Sequence, residues 1–200
     1  MRALAALTDD LFAPAMHQLV DDDQGGIRYW PAAIEPDTAR RWFDALREGA
    51  AWTHLQRPMY DRIVDVPRLL ANYAVGRLPA DLPLAELLAC VQARAPAPYS
   101  RIGMNLYRDG NDSVAMHGDK LHTLAAGHPI TLVSLGAPRR MLIRARDGAR
   151  ETLSVDLAPG SVLSMSHASQ RTHEHGIPKT CRPQGARISA VFRVRPVATG

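Results

Sequence analysis

From residue 99 onward the chain is a series of short segments rich in Val, Ile, Leu and Thr: "SRIGMNLY", "ITLVSLG", "RRMLIRAR", "ETLSVDL", "SVLSMS" and "RISAVFRVR". Turn-forming clusters divide them, at Asp109-Gly110-Asn111, Asp147-Gly148 and Pro159-Gly160. Short runs of this composition, bounded by such turns, predict strands rather than helices. Several at this spacing predict an all-β sandwich or jelly roll.

The first half reads differently. "IRYWPAAI" predicts a strand. "IEPDTARRWFDALREG" opens with Pro36 and Asp37 in a first helical turn, places Trp42, Phe43 and Leu46 on one face, and stops near Gly49. "LPLAELLACVQARA" predicts a second helix with Leu84, Leu87, Leu88 and Val91 at core spacing. "PADLP" and "APAPYS" read as loops. The expected organisation is an N-terminal extension over 1–25 with one short helix, a helix/strand region over 26–98 and a β core over 99–200. Residues 26–200 form one domain of mainly β structure with flanking helices.

Composition narrows the function classes. The chain has 200 residues, enough for one domain with a sizeable core, and lacks an apolar run that could span a bilayer. Asp9 and Asp10 interrupt the apolar start too early for a secretory signal. Cys90 and Cys181 are too few for a disulfide scaffold or a Cys-rich zinc site. The expectation is a cytoplasmic monomer with free thiols and no membrane partner. A net charge of +4, carried mostly by arginine, suits a polyanionic partner such as nucleic acid.

The chemistry begins at "AMHGDK". Residues i and i+2 at a strand end point to the same side, so His117 and Asp119 can aim an imidazole and a carboxylate at one point. Gly118 between them leaves room for a close approach. A metal site needs a third ligand, and six of the eight histidines lie from 117 onward. His167 falls in the turn after "SVLSMS". His173 and His175 share one face of an extended "HEHGIPK", and spacing does not separate them. Two histidines and one carboxylate are the donor set of non-haem Fe(II) oxygenases; zinc accepts the same donors.

A cosubstrate anchor discriminates between the two metals. Such oxygenases commonly use 2-oxoglutarate, whose far carboxylate needs a buried cation, and an arginine fork pairs with a carboxylate bidentately. In "RISAVFR", Ile188, Ala190 and Phe192 fill one face of a strand. Arg187 and Arg193 share the other face and require an anion.

Taken together, "NLYRDGNDSVAMHGD", "ITLVSLGAPRRMLIR", "LAPGSVLSMS", "HGIPK" and "RISAVFR" resemble, in order and spacing, the AlkB-like branch of the 2-oxoglutarate/Fe(II)-dependent dioxygenases over residues 99–196. "VPRLLANYA" is similar to the segment ahead of that family's core. The resemblance implies a double-stranded β-helix (jelly roll) and iron ligands His117, Asp119 and His175. It also implies cosubstrate contacts from Asn105, Tyr107, Arg187 and Arg193. The implied cofactors are Fe(II), 2-oxoglutarate and O2, and the implied reaction is oxidative dealkylation of N-alkylated bases in DNA or RNA. Formaldehyde leaves when the group is methyl, and a damaged base is flipped out of the stack to reach the site.

Two departures concern the substrate. Lys120 and Leu121 stand where repair members of the family carry acidic residues. The family's base-stacking aromatic after the "PR…Y" segment is missing from "AVGRLPADLP". The remaining candidate substrate contacts are Lys120, Tyr73, Arg68 and His173, with Tyr60 as a further aromatic. Arg57, Arg62, Arg68 and Arg77 are candidate phosphate contacts in what the family uses as substrate-recognition loops. Three functions compete: a nucleic-acid demethylase, a same-fold oxygenase acting on a protein or small molecule, and a non-catalytic metal-binding module.

Overall fold

A computed structural model describes residues 16–59, 62–148 and 152–196. Tyr60 and most of the expected N-terminal extension lie outside the described residues, as do the side chains of Arg57 and Arg62. In chain order the elements are β1 (His17–Val20), β2 (Ile27–Trp30), α1 (Pro36–Gly49), β3 (Thr53–Met59), β4 (Arg62–Ala74), α2 (Leu84–Gln92), β5 (Arg101–Tyr107) and β6 (Val114–His117). Then follow β7 (Ile130–Gly136), β8 (Arg139–Ala145), β9 (Thr152–Leu157), β10 (Ser161–Met165), α3 (Ser169–Thr172), β11 (His173–Ile177) and β12 (Arg187–Arg193).

The strands form two antiparallel sheets. The larger has the order β1-β2-β10-β7-β12-β5-β4-β3, and the smaller β6-β11-β8-β9. This is the expected mainly-β jelly roll. The six segments read as strands from residue 99 onward all form strands, within one or two residues at their ends. Among the described residues no helix is long and apolar enough to cross a membrane.

Alternation divides the large sheet into two faces. Ile102, Met104, Ile188, Ala190 and Phe192 point outward and pack beneath α1 and α2, through Leu46, Leu84, Leu87 and Val91. Leu132, Leu163 and Val191 point inward and meet Ile143, Val155 and Leu157 of the small sheet. Both faces of β12 are therefore buried, so any polar residue on its inner side is taken out of water. Helix α1 starts where Glu35 accepts the backbone N–H groups of Asp37 and Thr38, a cap the sequence reading did not identify.

Three strands were not foreseen. The segment ahead of the core, expected as loops, is the β3–β4 hairpin. It extends the large sheet because β4 pairs with β5, Leu70 opposite Asn105 and Asn72 opposite Gly103. Its alternation is masked in sequence because one face of "PRLLANYA" mixes Arg68 and Asn72 with the apolar Leu70. The end of the expected extension is also a strand, β1, pairing with β2 at the sheet edge.

Candidate active site

The site forms on the inner face, where β5 and β12 of the large sheet meet β6 and β11 of the small one. His117 closes β6 and lies directly opposite His175 on β11. Their ring centroids are 4.6 Å apart. That approach depends on Gly176: a Cβ there would stand 3.0 Å from the Met116 backbone N and the Val114 carbonyl. The Nδ1 of His117 lies 2.8 Å from the Ala115 carbonyl. A carbonyl can only accept, so Nδ1 carries the proton and Nε2 presents its lone pair. Burial, then the neighbouring His117, pushes the pKa of His175 down to about 4. His175 is therefore neutral at neutral pH, the form that binds a metal.

Asp119 stands beside this pair. Its backbone N–H donates to Oε1 of the buried Gln170 at 3.0 Å. Its carboxylate accepts from Arg193 twice, from Nε at 2.9 Å and Nη2 at 3.1 Å. As the side chains stand, no three His, Cys, Asp or Glu groups among the described residues converge closely enough to hold an ion. Asp119 faces the Arg193 fork, though a carboxylate so engaged keeps lone pairs for a cation. Gly118 has the tight surroundings its place between His117 and Asp119 suggested. A Cβ there would lie 2.6 Å from Nη2 of Arg146 and 3.0 Å from the Gln170 carbonyl.

Arg187 is the most constrained charged group. It is 1% exposed, and its Nε donates to Ser134 Oγ at 2.9 Å. Its guanidinium stands 5.2 Å from the centroid of the Tyr107 ring. Among the described residues neither terminal nitrogen has a hydrogen-bond partner. Burial pushes its pKa down to about 10, well below the usual arginine range. An unpaired buried charge is among the costliest features a fold carries. The edge that Arg187 leaves unpaired is the pair of donors that a carboxylate accepts bidentately. The residues thus fit an anionic cosubstrate on their own chemistry.

Around this fork the register sets adjoining rows on the inner face. Tyr107, Arg187 and Gly136 lie side by side, and next to them Leu70, Asn105, Ser189 and Ser134. Ser134 and Ser189 were missed in the sequence reading. Their signal was a serine within an otherwise apolar buried strand, in "ITLVSLG" and "RISAVFR". Tyr107 is held from a second direction by Arg139, whose guanidinium lies 5.6 Å from the ring centroid. Arg139 is itself buried and donates to the carbonyls of Asp109, Asp112 and Pro178.

The expected substrate residues fare unevenly. Arg68 reaches the site but is committed within it, its Nε to Asn105 Oδ1 at 2.8 Å and its Nη1 to the Ser113 carbonyl. Tyr73 lies in register with Ile102, packs with the helix-covered core and takes the Ala51 N–H on its hydroxyl. A tyrosine one residue out of phase with Asn72 packs toward the helices, and the same ring borders the cavity that Asn72 and Gly103 line. His173 is half-buried and engages Thr172 Oγ1 at 2.9 Å, two residues before His175 on β11. His167 is buried between β10 and α3. Lys120 and Arg77 are exposed.

A DNA oxidative demethylase ALKBH2 of Bos taurus is 33% identical over 97 residues, 45% of this chain and 35% of that protein. The human alkB homolog 3, an alpha-ketoglutarate-dependent dioxygenase, is 30% identical over 185 residues, 82% of this chain and 64% of that protein. The match to the ALKBH2 proteins of cattle, human and mouse spans 35–41% of their length. The structure of OsALKBH1 superposes with a TM-score of 0.59 at 17% identity, covering 85% of this chain and 97% of that one, a likeness of fold. The family model of the 2OG-Fe(II) oxygenase superfamily matches residues 78–193. With the jelly roll, the paired histidines and the unpaired buried arginine already in place, that match over more than half the sequence makes the chain a member of the 2OG-Fe(II) oxygenase superfamily.

Proposed function

We propose that the protein is a 2-oxoglutarate- and Fe(II)-dependent dioxygenase that oxidatively demethylates N-alkylated bases of DNA or RNA. The observation that carries the oxygenase reading is the fully buried Arg187 fork on the large sheet, without a partner at either terminal nitrogen among the described residues, inside the same two-sheet core that carries the His117–His175 pair on the small sheet. The relatives' activity on DNA and the net charge of +4 support the nucleic-acid substrate.

In this reading His117 Nε2, His175 and Asp119 hold the iron. When bound, iron with 2-oxoglutarate and O2 supplies the oxidation that removes the alkyl group. The chain's own residues do the positioning. Arg187 pairs with the far carboxylate of 2-oxoglutarate, Tyr107 lines the same end, and Asn105, itself held by Arg68, hydrogen-bonds the cosubstrate. Arg193 holds Asp119 in one orientation and completes the cationic surroundings of the cosubstrate's near end. Leu132, Leu163 and Val191 exclude water behind the site.

Two measurements test the proposal together. Protein with Fe(II), 2-oxoglutarate and O2 is expected to form succinate. Oligonucleotides carrying N1-methyladenine or N3-methylcytosine are expected to lose one methyl mass. No succinate under any condition rejects the oxygenase. Succinate with unaltered oligonucleotides rejects the base substrate and leaves a same-fold oxygenase for a protein or small molecule.

A further inference from the structure

At the end of the inner face remote from Arg187 lies a half-open cavity of about 260 Å3, lined by Asn72, Arg101, Gly103, Arg193 and Arg195 among others. Arg101 stands directly opposite Arg193 across the β5–β12 ladder. Three guanidiniums thus border one space. Asp119 pairs directly with Arg193 and is the one carboxylate near the three. Arg195 uses its Nη1 on the carbonyl and hydroxyl of Thr123, both neutral. Exposed Arg101 has no hydrogen-bond or ion-pair partner among the described residues. Burial, then the nearness of Arg193, lowers the pKa of Arg195, the direction expected where like charges crowd. The floor is bare backbone: a Cβ on Gly103 would stand 3.4 Å from both Arg193 Nη1 and Asn72 Oδ1. A side chain at 103 would fill the space that the three cations surround.

Cations gathered round a half-open cavity, with one carboxylate among them, call for an anion from outside. Its chemistry follows from the donors: planar forks with an amide beside them, matched to a phosphate's several oxygens. Arg193 belongs both to this cavity and to the Asp119 corner. An anion seated here is therefore one side chain away from the paired histidines. We propose that the cavity seats a backbone phosphate of the substrate strand, with Arg101 as its main contact, and so sets the target base over the His117–His175 corner. This rests on the nucleic-acid reading above.

The test uses the full chain with Mn(II) and 2-oxoglutarate, and a single-stranded oligonucleotide carrying one N3-methylcytosine. Binding is followed by fluorescence anisotropy across a salt series. Arg101→Gln is expected to weaken binding about tenfold, as for one lost charge-assisted bond. The slope of log K against log salt should fall by roughly 0.7, as for one lost phosphate contact on a single strand. Arg101→Lys is expected to retain the slope. Replacing the phosphate beside the lesion with an uncharged methylphosphonate should weaken wild-type binding by the same factor and leave Arg101→Gln unaffected. Thermal melting and lesion-free succinate formation are expected to match wild type, since Arg101 is exposed. An Arg101→Gln protein that keeps wild-type affinity and slope overturns the phosphate site and leaves the nucleic-acid reading standing. A wild-type protein that binds no oligonucleotide overturns both.

Discussion

Replacing Arg187 with methionine should make the ligand-free protein more stable while abolishing its response to 2-oxoglutarate. Burial pushes the pKa of Arg187 down to about 10, more than two decades below the usual arginine range. At about 1.4 kcal/mol per tenfold, the folded state carries a cost of roughly 3 kcal/mol for keeping that charge. Arginine is charged in both folded and unfolded chains below pH 10. The whole cost is therefore present at neutral pH, and falls away only as pH rises above about 10 towards the usual arginine range. Methionine is apolar and unbranched, and removes the charge. Lost with it is the bond to the buried Ser134 hydroxyl, whose orphaning costs about 2 kcal/mol; the Tyr107 contact is already within the net cost of the charge. The net gain is roughly 1 kcal/mol, or about 2–4 °C in Tm for a chain of this size. Wild type should gain about 2.7 kcal/mol from 2-oxoglutarate at a hundredfold excess over Kd, and Arg187→Met nothing. The two melting curves, recorded with Mn(II) by scanning calorimetry, should thus exchange order when 2-oxoglutarate is added. A ligand-free variant that melts below wild type would show that the fork is not an unpaired burden. A variant that 2-oxoglutarate still stabilises would remove Arg187 as the anchor.

The other predictions concern the metal corner and its supports. Asp119→Ala should abolish succinate formation and weaken Fe(II) binding by calorimetry; full activity would dismiss the ligand assignment. Gly118→Ala should cut turnover by roughly tenfold or more with the fold intact by circular dichroism, because the added Cβ meets the Gln170 carbonyl at 3.0 Å as well as the Arg146 fork. Gly136→Ala should lower stability by roughly 2–4 kcal/mol in urea unfolding, since Gly136 has φ 82° and a Cβ there would stand 2.5 Å from both the Ala186 carbonyl and the Phe43 ring. Arg139→Met should raise the KM for 2-oxoglutarate severalfold more than it lowers kcat, because its contact is with Tyr107 rather than with the metal corner; equal effects on both would refute a positioning role.

Much of this protein could be read along the chain. The strands from residue 99 follow from local composition and turn chemistry, which act within a few residues. His117, Asp119 and Arg187 stood out because a period of two fixes which side chains share a face, whatever the sheet later pairs with. Tertiary structure decided what a period of two leaves open. His117 lies opposite His175 through the β6–β11 register, and Gly176 lets the strands approach. Arg68 and Asn105, 37 residues apart, meet because a segment that hid its alternation becomes β4 beside β5. Tyr73 turned to the helices for the same reason, one residue out of phase with the inner face. The sequence by itself determined the fold class and the types of residue carrying the chemistry, because strand propensity, turn geometry and side-chain alternation are local. Only the tertiary structure decided which charges are paired and which are left for a ligand, because a charge's partner and its distance from water are set by strands remote in sequence.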